Sequence, residues 1–452
     1  MIGAAVAAVL AVFGAGSSLV APVSDLAAVA TSPAPAAAQD TLLHVLLALV
    51  IVIIAARLCG ALCQRLHQPA VIGEVIAGIL LGPSLLGRIA PGLMNWVLPA
   101  ATAPYLSIIA QIGVILFMFL VGLQLDLSQL TKKTHATIAI SHASILVPFV
   151  LGCVLALWLY PRYATGQVSF TVFALFVGVS LSVTAFPVLA RILTDRGLQS
   201  TYMGTVALTC AAVDDATAWC LLAVVVAIAK ADASSAVRTL AMTAVYLVVM
   251  LWVVRPLVTR AIRSASRRAV SAQAMMSFVV VALLISTLAT EAAGIHAIFG
   301  AFLLGAIIPH ASELARDLQG KLHDIVIVLF LPAFFAFTGL RTEIGLVSTP
   351  TEWFICAVIT LTASLGKFGG TFAAAKVTGF MSRDAVSLGI LMNTRGLMEL
   401  IVLNLGLDLG ILSPTLFTML VIMAVLTTLA TTPVLDLVTR RPVVNTSRLA
   451  VP

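Results

Sequence analysis

Charge is what this sequence lacks. Only 10% of its 452 residues are Asp, Glu, Lys or Arg, and 61% are hydrophobic, whereas a soluble domain carries roughly 25% charged residues. With a mean hydropathy of +1.14, the deficit excludes a soluble globular chain. Long polar segments are missing too, and the longest basic connection runs only from Arg255 to Arg268. The basic surplus, a net charge of +7, sits in short connections between apolar blocks, not on one continuous face. That pattern is membrane topology and excludes nucleic acid as a partner. Cysteine is sparse. Cys59, Cys63, Cys153, Cys210, Cys220 and Cys356 all fall inside apolar blocks and read as small core residues, neither disulfides nor metal ligands. No cofactor is expected.

What fills the chain is a succession of apolar blocks of about 20 residues, the length that crosses a hydrocarbon layer about 30 Å thick. Lipid offers backbone amides no partner, so each block must be a helix. About thirteen such spans fit between residues 41 and 438, which predicts an all-α polytopic membrane protein. Residues 1–40 are either a signal-peptide-like segment or an extra N-terminal helix: an apolar Ala- and Gly-rich stretch is followed by Pro33, Pro35 and an Ala run. Residues 41–440 form the transmembrane domain, and 441–452 a short cytoplasmic tail. With the first span starting outside, 18 Lys and Arg fall on the inner side against 5 on the outer. The positive-inside rule then predicts an outside N-terminus and a cytoplasmic C-terminus in a cell (plasma or inner) membrane. Lys367 and Arg395 lie within spans.

A weak repeat joins the two halves. Ala77 to Gly82 resembles Gly300 to Gly305, and Phe117, Gly122, Leu123 and Asp126 share their spacing with Phe334, Gly339, Leu340 and Glu343. The copies start seven spans apart, an odd offset that inverts the second in the membrane. Inverted repeats with a site at their interface are a mark of secondary transporters.

The residues that carry chemistry are few. Asp214 and Asp215 lie mid-span, where a carboxylate costs at least about 2.5–3.5 kcal/mol. Neighbours on a helix point about 100° apart, so one can face a partner helix and the other a cavity. Lys367, among small residues from Ser364 to Gly370, is the natural counter-charge. Pro187 breaks one span after Ser180 to Phe186, and Gly396 breaks another between Met392 and Glu399. Broken helices at matching positions present free carbonyls and dipole ends to a central ion, with Thr184 and Asn393 completing a cation shell. Arg395 and Glu399, spaced i, i+4, are expected to neutralise one another. Glu74 is either a funnel acid or a helix-packing group.

Several longer motifs carry a family resemblance. Gln68 to Gly78, Leu81 to Gly87, Val183 to Leu193 and Asn393 to Ile401 resemble the monovalent cation:proton antiporter-2 family, the last two especially the plant cation/H+ exchangers and their bacterial relatives. The resemblance covers about residues 41–440. It implies two crossing broken helices, a transport core (about 136–229 and 353–438) beside dimerisation helices, homodimers, and elevator-like alternating access. It assigns ion binding to Asp215 and a salt bridge with Lys367 to Asp214. The Asp-Asp plus Lys set is similar to that of the electrogenic sodium/proton exchangers. Gln124 stands where relatives have Glu. The expected function is exchange of Na+ or K+ for H+ across a lipid bilayer. The alternative is an antiporter-fold protein that has lost exchange and acts as a channel or sensor, or on an organic substrate. An intramembrane aspartyl protease is excluded, because adjacent Asp on one helix cannot flank a scissile bond as acid and base.

Overall fold

The computed structural model describes residues 2–22, 38–124, 135–166, 168–198, 201–229, 236–268, 271–293, 296–309 and 312–439. Asp126, most of the Ala-Pro stretch before residue 38, and the 441–452 tail lie outside the described residues.

The described chain is helical nearly throughout. α1 (Ile2–Gly16) precedes α2 (Ala38–Arg65) and α3 (Ala70–Leu81). The short α4 (Leu86–Ile89) and α5 (Pro91–Val97) lead to α6 (Ala103–Gln124), and α7 (His135–Tyr163), α8 (Phe170–Ser182), α9 (Phe186–Asp195) and α10 (Tyr202–Ala229) follow. α11 (Ala236–Val249) continues through a π-helical turn into α12 (Arg255–Arg268). After α13 (Ala272–Ala292) and α14 (Ala297–Ile307), α15 (Glu313–Ile325) continues through a second π-helical turn into α16 (Leu331–Leu340). α17 (Pro350–Val377), α18 (Ser382–Met392), α19 (Leu397–Asp408) and α20 (Pro414–Thr439) complete the order.

Among the described residues, eleven helices are long and apolar enough to cross a membrane. α18 and α19 make a further span bent by 42°. α14, expected over about 295–312, is the remaining one and keeps only 11 residues, since Ile308 turns extended just before Pro309, whose ring cannot continue a helix. Of the thirteen expected spans, twelve are therefore found as candidate crossings among the described residues, and the thirteenth is the short helix α14. α1 packs on α7 and α8, with Val12 in the main core. Cys220, expected inside, is exposed, and Cys59 is half-buried.

Two groups of helices emerge. α7 packs along α8, α10 and α17, and α17 packs in turn along α18 and α20. α2, α3, α6, α14 and α16 form the second group, with α13 against α14. Large apolar side chains face outward along both, for example Leu46, Val50, Ile54 and Leu58 on α2, and Ile285 and Leu288 on α13. Such a surface suits lipid tails or another apolar protein face, not water.

The repeat seen in the sequence is a contact in space. Gly82 of the first copy lies against the Gly339 carbonyl of the second, and Gly305 against Gly122. The last glycine of each first motif thus meets the glycine of the second motif from the opposite half, so α3 crosses α16 as α14 crosses α6. Backbones approach this closely only where no Cβ intervenes.

A side chain at Gly339 would run into the Gly78 and Ile79 backbone, whereas one at Gly92 meets nothing within 4 Å. Gly339→Val is expected to destabilise by about 1–3 kcal/mol through overpacking, lowering the melting temperature in detergent, while Gly92→Ala leaves it unchanged. Equal melting of the two variants would contradict the crossing.

Candidate functional site

Two helix interruptions build the site. α8 begins at Ser169, whose hydroxyl accepts from the Val172 amide. It stops at Ser182 because a continuous helix would need a donor from Pro187 and would drive its ring into the preceding turn. The chain restarts as α9 with Pro187 in the first turn, where a missing N–H costs nothing. The second break, Asn393 to Gly396, separates α18 from α19. The two breaks touch. Ala185 N donates to Thr394 O at 3.0 Å, and Thr184 Oγ1 lies 3.3 Å from Met392 O.

Asp214 on α10 sits beside this crossing with full hydrogen-bond satisfaction. Ser141 Oγ donates to its Oδ1 at 2.9 Å, and Thr184 Oγ1 and Lys367 Nζ each lie 3.2 Å from its Oδ2. Ser144 Oγ also donates to Oδ2. Lys367 Nζ donates to Thr184 Oγ1 at 2.5 Å. Thr184 has one proton, so it serves either Asp214 or the Met392 carbonyl. Asp214 and Lys367 are both 0% exposed, and four elements, α7, α10, α17 and the α8–α9 break, supply this one cluster.

Asp215 is its opposite. It is 4% exposed, yet neither carboxylate oxygen has a hydrogen-bond partner. The Phe186 amide in the first turn of α9 faces it without completing a hydrogen bond, so the carboxylate lies near the positive end of that short helix. Asn393 Oδ1 is a second buried acceptor without a donor, while its amide nitrogen reaches Ser364 Oγ at 3.4 Å. Buried oxygens that lack donors are uncommon in folded proteins. Oxygen acceptors of this kind suit a proton or a hard cation.

Arg395 closes the other end. Its guanidinium donates to Ser180 O at 3.0 Å, Leu181 O at 2.7 Å and Glu399 Oε2 at 3.0 Å. The first two are carbonyls at the end of α8 left without helical donors. Thr428 of α20 accepts from Arg395 N at 3.1 Å and donates to its carbonyl at 2.9 Å. Arg395 is thus a fixed cation that caps one half-helix from the break in the other.

The structure brings together Asp214, Thr184 and Lys367, and pairs Arg395 with Glu399. Glu74 stands apart. It is buried on α3, 6% exposed, with the Arg57 guanidinium of α2 as its charged neighbour. No hydrogen bond joins it to Asp214, Asp215 or Lys367, and its burial fits the helix-packing alternative. Ser141 and Ser144 escaped the sequence reading. Their i, i+3 spacing was visible, but serines in membrane helices commonly bond back to their own turn, as Thr205, Thr209 and Thr217 do here.

Two crossing half-helices with charged residues sealed at their junction define a secondary transporter, not an enzyme. Residues 50–438 match the model of the transmembrane sodium/hydrogen exchanger family, and the chain belongs to that family. It is 46% identical over 396 residues to an Na+/H+ antiporter, NhaS4, of Synechocystis sp., covering 87% of this chain and 97% of that protein. It is 38% identical over 395 residues to cation/H+ antiporter 18 of Arabidopsis thaliana, covering 86% of this chain and 48% of that one. It is 34% identical over 387 residues to K+/H+ antiporter 1 of Saccharomyces cerevisiae, covering 83% and 43%. The chain therefore spans about half the length of the plant and yeast relatives. The solved sodium/proton antiporter MjNhaP1 of Methanocaldococcus jannaschii shares the fold, with a TM-score of 0.65 at 12% identity over 88% of this chain and 96% of that one.

Breaking a buried ion pair from one side leaves an uncompensated charge. Lys367→Met is expected to cost about 3–5 kcal/mol, and adding Asp214→Asn to recover much of it, since replacing a whole buried pair is often neutral. Thermal unfolding in detergent measures both. A double variant no more stable than Lys367→Met would argue against the pairing.

Proposed function

We propose that this chain exchanges a monovalent cation, Na+ or K+, for protons, with Asp215 as the group that holds either one. The observation that carries the reading is the contrast between the aspartates: Asp214 has four side-chain donors within hydrogen-bond reach, while both oxygens of Asp215 are buried without a hydrogen-bond partner. A bare carboxylate cannot stay charged in such a place, so it holds a proton or a cation. Loading with either offsets the charge of Asp215 and lets the site cross the membrane. Thr184 and Asn393 contribute oxygens to the cation-bound state.

The moving unit in this reading is the bundle of about 136–229 and 353–438. The remaining helices form a scaffold, through which two chains associate as a homodimer. Elevator-like displacement of the core past the scaffold then exposes Asp215 to each side in turn. Asp214 joins the cation shell by letting go of Lys367. The ammonium, left without its counter-charge, releases its own proton, so that two protons exchange per cation and transport is electrogenic. The excess of Lys and Arg on one side supports an outside N-terminus and a cytoplasmic C-terminus in the cell membrane.

Asp215→Asn is expected to abolish cation-dependent proton flux in proteoliposomes under Na+ and K+ alike, with the fold intact. Retained flux would refute the assignment. In the parent, an inside-negative potential is expected to change the exchange rate; a rate indifferent to potential would refute the two-proton stoichiometry while leaving Asp215 in place.

A further inference from the structure

We propose that Arg341 is a positioning residue that latches the scaffold to the transport core at one membrane face and so biases which face the ion site opens to. The inference rests on the antiport reading for its moving parts. Arg341 ends α16, a scaffold helix. Its guanidinium donates to Asn404 Oδ1 at 3.3 Å and to Asp408 Oδ1 at 2.5 Å. Both acceptors sit one turn apart on α19, the core half-helix that carries Glu399 and follows the break at Arg395. Asn404 Nδ2 returns the contact by donating to Thr338 Oγ1 of α16 at 2.8 Å. Phe337 supports the guanidinium from below, its ring centroid 4.8 Å from Arg341 Cζ.

The latch spans a gap. A cavity of about 140 Å³ separates the two groups of helices here, with Gln111 and Phe334 on the scaffold side, Asn404 and Asp408 on the core side, and Glu291 and His296 on its rim. Because the helices stand apart at this cavity, polar side chains supply the cohesion that direct apolar packing would give elsewhere. α19 cannot slide along α16 without Arg341 releasing both acceptors. The pair is built to release. Arg341 and Asp408 keep 26% and 40% of their side-chain exposure, so water replaces the lost partner at modest cost, as for other exposed ion pairs.

The internal repeat supplies the reason for a bias. The register that aligns Gly122 with Gly339 aligns Gln124 with Arg341. At the opposite face a neutral amide therefore occupies the equivalent position. A hydrogen bond from scaffold to core on that side, Gln68 Nε2 to Leu429 O at 3.3 Å, is uncharged. The Arg341–Asp408 ion pair stabilises the position of the core in which it is made, so two otherwise mirror-related positions differ in energy.

The first arm of the test, labelling, needs no turnover. Gln111→Cys places a thiol in the cavity, and its labelling by a membrane-impermeant maleimide in proteoliposomes is followed by mass spectrometry of the peptide that carries it. Arg341→Gln and Asp408→Asn are expected to change the labelling rate in the same direction by roughly 3- to 5-fold. Arg341→Asp should change it further, and the charge swap Arg341→Asp with Asp408→Arg should return it toward the parent rate. Arg341→Lys keeps the charge and stays near the parent. The apparent cation KM, measured separately at the two faces, should move in opposite directions in Arg341→Gln, which a merely structural role would not produce. Unchanged labelling in Arg341→Gln and Asp408→Asn, or a swap as perturbed as Arg341→Asp alone, overturns the latch. If flux proves independent of Asp215, the antiport reading fails while the labelling result still decides the latch.

Discussion

A lysine and an aspartate sealed from water inside a membrane protein set the terms for everything around them. Each ion alone loses several kcal/mol of solvation on burial, and mutual attraction repays this only when the remaining lone pairs and protons also find partners. The Asp214–Lys367 pair meets that condition through three hydroxyls, from Ser141, Ser144 and Thr184. The hydroxyls are short, so the helices that carry them must come close. Gly366 lies against Pro148 of α7, and Gly370 against Ala143 and Val147. These glycines bring α17 onto α7 at the level where Lys367 and the two serines can reach one carboxylate. Small residues, close helices and a satisfied ion pair are one device.

The same constraint explains the division of labour between adjacent aspartates. Stepping one residue along α10 rotates the side chain by about 100°, out of the hydroxyl cluster and toward the first turn of α9. Asp214 faces the Lys367 ammonium and the Ser141, Ser144 and Thr184 hydroxyls. Asp215 is left with the end of a helix and no donor. A protein spends such an unsatisfied group where a ligand completes it. Arg395 performs the complementary task, covering the α8 carbonyls that the first break exposes, so that free backbone groups at the crossing are met on one side and available on the other.

Around the site, the scaffold helices use backbone contact in place of polar chemistry. Gly82 on Gly339 and Gly305 on Gly122 repeat one crossing twice, and the two crossings are related as the two halves of the chain are. Symmetric contacts favour two equivalent positions of whatever moves against them. The departures from symmetry, such as Arg341 opposite Gln124, are therefore where a preference between those positions is written.

Much of this architecture is legible from residue order alone. Helical spans follow from block length, because lipid permits no other backbone; the Asp pair, Lys367, Pro187 and Gly396 stand out because each is costly in an apolar helix and so must have a purpose. Glycine spacing exposed the repeat. Three things needed the folded chain. Ser141 and Ser144 look like any hydroxyls in an apolar helix until α17 and α10 converge on them, and Ser144 still reaches the Ser141 carbonyl of its own turn as well. Glu74 reads equally as a funnel acid or a helix-packing group, and only the fold places it in a buried position with Arg57 as its charged neighbour. Arg395 pairs with Glu399 by spacing, but its carbonyl partners lie more than two hundred residues away on α8. Sequence determines which side chains are expensive, because that cost depends only on the medium; the tertiary structure decides which of them are satisfied, because satisfaction depends on donors that only the fold brings within 3 Å.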